Sequence, residues 1–330
     1  MKLNIKNNSK YNVTAIGSTL LDITAEINES FLSKYELQKG GMHLINSEQS
    51  SAVLKGLEGV KLSYSPGGSS ANALAGVNDL GGTGLLYGSV GDDDYGRMYV
   101  KETEASGVKT GIGVYAEKTG TAITLITEGG ERTFATHLGA ALNFSESDVK
   151  EEDIVTSSIL HLESYLFEID NLYNACLKAM KTAKENGVLV SIDLSDSLLV
   201  GRIYDRMFST VLEYADIVFA DDEESFAFTG KKEIEALREI EKMCRLAVVK
   251  IGSRGSLIMA DKQLYEIQPV KTKVVNTNGA GDMYAAGILY GLTQGLAVES
   301  CGRLASAAAS LVVGRATARL GEKINGKSLI

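Results

Sequence analysis

One carboxylate, Asp282, closes the run Asn278-Gly279-Ala280-Gly281-Asp282, just where a chain of small residues gives way to an apolar stretch ending near Leu292. Two glycines flanking an alanine let the backbone approach a ligand closely. The free N–H groups at the start of the following helix, with its dipole, favour an anion. Asp282 then has two possible uses. It can cap the helix, as Asp often does, or it can stand beside a bound phosphate as general base for a hydroxyl nucleophile. A cap has no need of a preceding Gly-Ala-Gly, which favours the base.

Three other places could contribute. In "SPGGSSANALAG", Gly67 and Gly68 enter a helix and allow backbone contact with a polar ligand, while Asn72 offers both a donor and an acceptor. A turn and a helix start explain this stretch equally well. Asp22, just past the first strand, can accept paired hydrogen bonds from sugar hydroxyls or simply be solvated. "FADDEES", from Phe219 to Ser225, puts acids at the carboxyl end of a strand, where α/β folds bind ligands and where magnesium would find a carboxylate. An acidic helix N-terminus explains most such clusters, so one or two of these acids suffice for function.

Two motif matches fail on context. "GEKINGKS" (Gly321–Ser328) fits the phosphate-loop spacing, but too little chain follows it to build the helix that the mechanism needs, so it reads as a frayed tail. "GIGVYA" (Gly111–Ala116) fits a dinucleotide fingerprint but is followed by strand-like rather than helical residues.

The elements that position these residues follow an α/β rhythm. Val13–Ile16, "TGLLYGSVG", "ILHL", "VLVSID", "ADIVFA", "LAVVKIG" and "SLIMA" read as strands. Between and after them, Ala71–Leu80, Leu172–Glu185, Glu233–Met243, Ala280–Thr293 and Val298–Val313 have helical periodicity. Such alternation implies parallel pairing and a layered α/β fold. "LDITAEI", "TGIGVYAE", "TAITLITE" and "RTFATHL" differ, alternating like half-exposed strands joined by tight turns. They are expected to form a small antiparallel sheet that covers a cleft as a lid, discontinuous over roughly 20–62 and 108–138.

Totals narrow the class. The 330 residues are 44% hydrophobic with a net charge of -9, which argues against nonspecific binding to nucleic acid or anionic membranes. Cys176, Cys244 and Cys301 are too few and too scattered for a disulfide framework or zinc site. With no apolar leader segment and no membrane-length run, a cytoplasmic protein is expected.

These residues together carry a resemblance to the ribokinase-like carbohydrate kinases, the PfkB family. Gly67–Asn72 matches its Gly-Gly-x-x-x-Asn signature, "NTNGAGD" (Asn276–Asp282) matches D-T-x-G-A-G-D, and the likeness runs from about Gly17 to about Gly314. The resemblance implies one kinase domain over residues 1–330. Its fold would be a ribokinase-like three-layer α/β sandwich with a mostly parallel central sheet and a small β-sheet lid. It implies transfer of the γ-phosphoryl group of ATP to a primary hydroxyl, with Asp282 as base and Gly279, Ala280 and Gly281 as anion hole. Asp22, Gly67, Gly68, Asn72 and Glu163 would hold the acceptor. Lys250, Gly252, Gly255 and Asn278, with Gly279 and Gly281, would hold the nucleotide. Glu224 would organise magnesium through water.

Two departures stand out. Asn276 replaces an aspartate that in many members helps bind a monovalent cation, so potassium becomes an optional third cofactor, and Asp221 replaces the Asn of the family's N-x-x-E motif. The implied partners are ATP and a purine nucleoside such as adenosine, or else a free sugar such as ribose or fructose; neither nucleic acid nor membrane is expected, and monomer and homodimer stay open. Ile23, Ile112, Val114 and Ile123 in the lid would cover a base. The other reading is a non-catalytic nucleotide- or metabolite-binding protein on the same fold.

Overall fold

The computed structural model describes residues 5–6 and 9–329. The first residues of the leader-free reading, Met1 to Asn4 together with Asn7 and Asn8, lie outside the described residues, as does Ile330. Fourteen strands form two sheets among the described residues. In chain order they are β1 Tyr11–Ile16, β2 Leu21–Glu26, β3 Met42–Leu44, β4 Leu62–Pro66, β5 Gly84–Gly91, β6 Lys109–Tyr115 and β7 Thr121–Ile126. Then follow β8 Arg132–His137, β9 Ser157–Glu163, β10 Leu189–Asp193, β11 Ile217–Asp221, β12 Leu246–Lys250, β13 Ser256–Ala260 and β14 Gln263–Ile267.

The large sheet runs β14-β13-β12-β11-β10-β9-β1-β5-β6, parallel from β12 through to β6, with β13 and β14 added as an antiparallel edge. Both of its faces are covered, which is why its strands read as near-continuous apolar runs. Val13, Ala15, Ile159, Ile217 and Val248 pack toward the helices Ser69–Asp79, Ala280–Thr293 and Val298–Val313. Their alternates Ile16, Leu160, Val218 and Val249 pack toward Asp170–Glu185, Tyr204–Tyr214 and Glu233–Glu241. This is the layered α/β architecture expected from the alternating pattern.

The small sheet runs β3-β8-β7-β2-β4 and is mixed rather than antiparallel: β2 pairs parallel with β7, and β3 parallel with β8. Lys109–Tyr115, expected in the lid, instead forms the parallel edge of the large sheet beside β5. Its half-exposed alternation is that of an edge strand, which one-sided burial makes indistinguishable from a lid strand in the sequence. Ile112 and Val114 go with it. Ile23 and Ile123 are register partners and fully buried in the apolar core, so they pack the sheet rather than face a ligand.

The C-terminal segment is docked rather than frayed. Leu320 is buried, the Ile324 N–H donates to the Asp79 carbonyl at 2.7 Å, and Gly326–Leu329 is a single 3₁₀ turn. No α-helix follows the phosphate-loop match among the described residues, and the dinucleotide match lies inside β6. No helix among the described residues is long and apolar enough to cross a membrane.

Candidate active site

Two glycine-led helix starts meet beside the carboxyl ends of the central strands. The helix Ser69–Asp79 begins after Gly68, whose φ of +94° and close approach to the Ser18 carbonyl leave no room for a side chain. The helix Ala280–Thr293 begins after Gly279, with φ +77° and its Cα turned onto Ala318, where a Cβ would collide with the Ala318 carbonyl.

Asp282 lies between them. Gly279 is the N-cap and no side chain caps this helix, so Asp282 is not used as a cap. Its Oδ1 accepts from Ser69 Oγ at 2.6 Å and its Oδ2 from Asn72 Nδ2 at 2.8 Å, both on the other helix. Burial raises its pKa against the pull of these two bonds; Asp193 adds to the rise and Lys250 opposes it. A carboxylate so held is oriented, desolvated and basic, as a general base needs to be.

The strand ends supply the surrounding charge. Register pairs Glu163 with Asp193 and Asp221 with Lys250, so four adjacent parallel strands end in ionisable side chains on the sheet face that carries both helices. Asp193, which the sequence reading passed over, is buried and meets Lys250 Nζ at 3.3 Å. Burial works against the Lys250 ammonium, yet Asp193, Glu224 and Asp282 together raise its pKa above the ordinary lysine value. A Cβ on Gly281 would stand 3.3 Å from Lys250 Nζ, so the ammonium faces the opening turn of the Asp282 helix. Cation and helix N-terminus reinforce each other as an anion site.

Asp221 and Glu224 form a capping box, each accepting the other's backbone N–H at 2.8 Å. That is the structural reading of the acidic cluster, and it accounts for Asp221. Asp222 turns outward to Arg254 at 2.9 Å. Glu224 keeps a second significance. Burial, Asp193 and Asp221 push its pKa up to about 8 against the pull of Lys250, a crowding of acids that a divalent cation would relieve.

The other candidates sort as follows. Asp22, on β2, is half-buried beside Gly67, where any Cβ would collide with its carboxylate. Glu163 is fully buried, its two oxygens accepting from the backbone of Ser18 at 2.8 Å and Ser70 at 2.7 Å. It ties the end of β1 to the helix start rather than offering an open oxygen. Gly252 opens a 3₁₀ turn after β12, and Gly255 packs on the Ile267 backbone within the β13–β14 edge. Asn278 is exposed and donates its backbone N–H to Asn276 Oδ1 at 3.0 Å.

Asn276 itself does not fit a monovalent cation. Its Oδ1 accepts from Asn278 and also from Arg132 of β8 at 2.8 Å, and its Nδ2 donates to the Ala316 carbonyl. A guanidinium already faces the oxygen that such an ion would need, and like charges repel there. Arg132, Ser69 and Arg319 were not foreseen, because nothing in local periodicity brings them to Asp282 or Asn276.

A family model described as pfkB family carbohydrate kinase matches residues 42–324. The adenosine kinase of Saccharomyces cerevisiae is 27% identical over 312 residues, spanning 87% of this chain and 90% of that protein. Among solved structures, an adenosine kinase from Sinorhizobium meliloti superposes with a TM-score of 0.87 at 30% identity, covering 97% of this chain and 99% of its own. A probable sugar kinase from Rhizobium etli CFN 42 gives the same TM-score at 29% identity, covering 98% and 100%.

Proposed function

The chain belongs to the pfkB family of carbohydrate kinases, and from that premise we propose that it passes the γ-phosphoryl group of ATP to the primary hydroxyl of a neutral, sugar-containing acceptor, a purine nucleoside such as adenosine ahead of a free sugar. It is a phosphotransferase with an alcohol group as acceptor. The observation that carries the mechanism is Asp282, oriented by Ser69 and Asn72 at a helix start faced by Lys250. Asp282 takes the acceptor's hydroxyl proton, the acceptor oxygen bonds to the γ-phosphorus, and the bridging bond to the β-phosphate breaks to leave ADP. The opening amides at Gly279 and Gly281, with Lys250, offset the charge on the group in flight, while the Ala280 N–H of the expected anion hole already donates to the Thr277 carbonyl at 3.2 Å. The same carboxylate, oriented for proton transfer, leaves the non-catalytic reading without support.

Magnesium fits as an ion carried by phosphate and water. No three metal-ligating side chains converge among the described residues, and Glu224 is the acid crowded enough to orient its hydration shell. When bound, the ion supplies charge neutralisation on the phosphates. We read the small sheet as a cover over the acceptor, since Asp22 and Arg132 reach the site from the same face of it.

Three features support the acceptor class. Asp22, Asp282 and Asp79 lie around the Arg319 guanidinium and engage its charge, which favours a neutral, hydroxyl-bearing acceptor there over an anionic one. Asp22 can accept a pair of hydroxyl bonds. Phe134, half-buried and on the Asp22 face of the small sheet, gives a base an aromatic neighbour that a free sugar would not use. Comparing kcat/KM for adenosine, inosine, ribose, fructose and fructose 6-phosphate tests this. Adenosine is expected to lead and fructose 6-phosphate to trail, with Phe134→Ala costing adenosine roughly ten-fold and ribose little. A free sugar that outpaces both nucleosides sinks the nucleoside assignment and leaves the kinase intact.

Acceptor binding should also depend on pH. Burial pushes the Asp22 carboxyl up to about 7; Arg319 pulls it down and Asp282 pushes it up. Below that value Asp22 is protonated and can no longer accept two hydroxyl bonds. The acceptor KM is therefore expected to rise as pH falls from about 8 to about 6, while Asp22→Asn gives a high KM that does not vary across that range. A wild-type KM that is flat with pH would remove Asp22 from the acceptor site.

A further inference from the structure

Arg319 arrives from the irregular segment after the helix Val298–Val313, far in sequence from every signature residue. Three contacts bind that segment to the site. Asn276 donates to the Ala316 carbonyl, Ala318 backs onto Gly279, and Arg319 Nε donates to Asn72 Oδ1 at 2.8 Å. The last bond completes a relay, because Asn72 passes its own Nδ2 to Asp282 Oδ2 at 2.8 Å. With its oxygen claimed by a guanidinium, the Asn72 amide has one orientation available, the one that presents its N–H₂ to the base.

The Tyr99 hydroxyl also lies against the guanidinium, yet one nitrogen is left over. Arg319 Nη2 is buried with no hydrogen-bond partner among the described residues, and so is Ser70 Oγ at the same helix start. Buried donors are nearly always satisfied, and a bare arginine nitrogen is costly. The charged and titratable groups around it are Asp22 on β2, Asp79 on the Ser69 helix, Tyr99 on the helix Asp94–Ala105, and Asp282 on its own helix. Asp22 is the residue assigned above to the acceptor, and Asn72, expected there from the sequence, is instead committed to Asp282 and Arg319.

We propose that Arg319 is a positioning residue of the transfer step: through Asn72 it fixes the carboxylate of Asp282, and its open Nη2 donates to an oxygen of the bound acceptor. This rests on the kinase reading and adds a residue that neither signature contains. The relay acts on turnover, because it orients the base. The open donor acts on acceptor binding. Neither touches the nucleotide.

The test uses the full chain with ATP and adenosine and compares wild type, Arg319→Gln, Arg319→Lys, Asn72→Ala and the Arg319→Gln/Asn72→Ala double variant. Arg319→Gln is expected to lower kcat and raise the acceptor KM, each by roughly ten-fold, with the ATP KM within about two-fold of wild type. In the Asn72→Ala background the kcat effect of Arg319→Gln should shrink below about three-fold while its effect on acceptor KM persists. Wild-type kcat and acceptor KM in Arg319→Gln overturn the proposal, as does the same kcat loss in both backgrounds or a parallel loss of ATP affinity. If melting curves find Arg319→Gln unfolded, Arg319→Lys decides, because an ammonium keeps the charge but lacks the planar fork that reaches Asn72 and the acceptor from two separate nitrogens. Wild-type constants in that variant overturn the proposal equally. A wild-type enzyme that phosphorylates no acceptor refutes the kinase reading instead, and calorimetric binding of adenosine to wild type and Arg319→Gln still judges the open donor.

Discussion

Asp282→Asn is expected to lower kcat by roughly 10²- to 10⁴-fold while leaving the KM for ATP and acceptor within a few-fold. The geometry explains the split. An asparagine at 282 can point its carbonyl at Asn72 Nδ2 and its amide at Ser69 Oγ, which then accepts instead of donating. Both bonds survive with reversed polarity at Ser69, so the two helix starts stay joined and the ligands still bind. What is lost is the capacity to take a proton, and that matters only as the acceptor oxygen attacks. Steady-state kinetics beside a melting curve separate the effects. A folded variant with most of its turnover would make Asp282 a structural tie between helices.

The second large effect concerns Glu224. Glu224→Gln is expected to depress kcat by about ten-fold and to raise the magnesium concentration at half-maximal rate, because an amide is a poor partner for a hard cation and its waters. Asp221→Asn should be tolerated, since asparagine caps helices as well as aspartate does and the capping box can persist. The contrast is informative because the two residues share one hydrogen-bonded turn. Equal losses from both would mean that the turn is only structural. A larger loss from Asp221→Asn would transfer the metal-organising role to the neighbour.

Much of the layered core was legible from periodicity. The helices Ala280–Thr293 and Val298–Val313 fall where the apolar spacing put them, and the strands ending at Glu163, Asp193 and Lys250 were readable as apolar runs. Pairing was less legible. Lys109–Tyr115 has the alternation of a half-exposed strand, and such a strand looks the same at the edge of either sheet. The apolar lid residues fared similarly. Ile23 and Ile123 alternate as a ligand-facing row would, yet that face is turned to the core.

By itself the sequence determined much of which segments become helix or strand, because that depends on neighbours a few residues away. It marked Gly279, Ala280, Gly281 and Asp282 as a place prepared for an anion, and Gly67, Gly68 and Asn72 as contacts for a polar ligand. The tertiary structure decided what surrounds that place. Asp282 is held by residues more than two hundred positions earlier, Lys250 by an aspartate on another strand, and Asn72 by Arg319 from the far end of the chain. Such meetings depend on sheet order and on helix docking, which come from burying apolar area across the whole core. Hydrophobic burial has no direction, so no local spacing encodes which charges it will bring together.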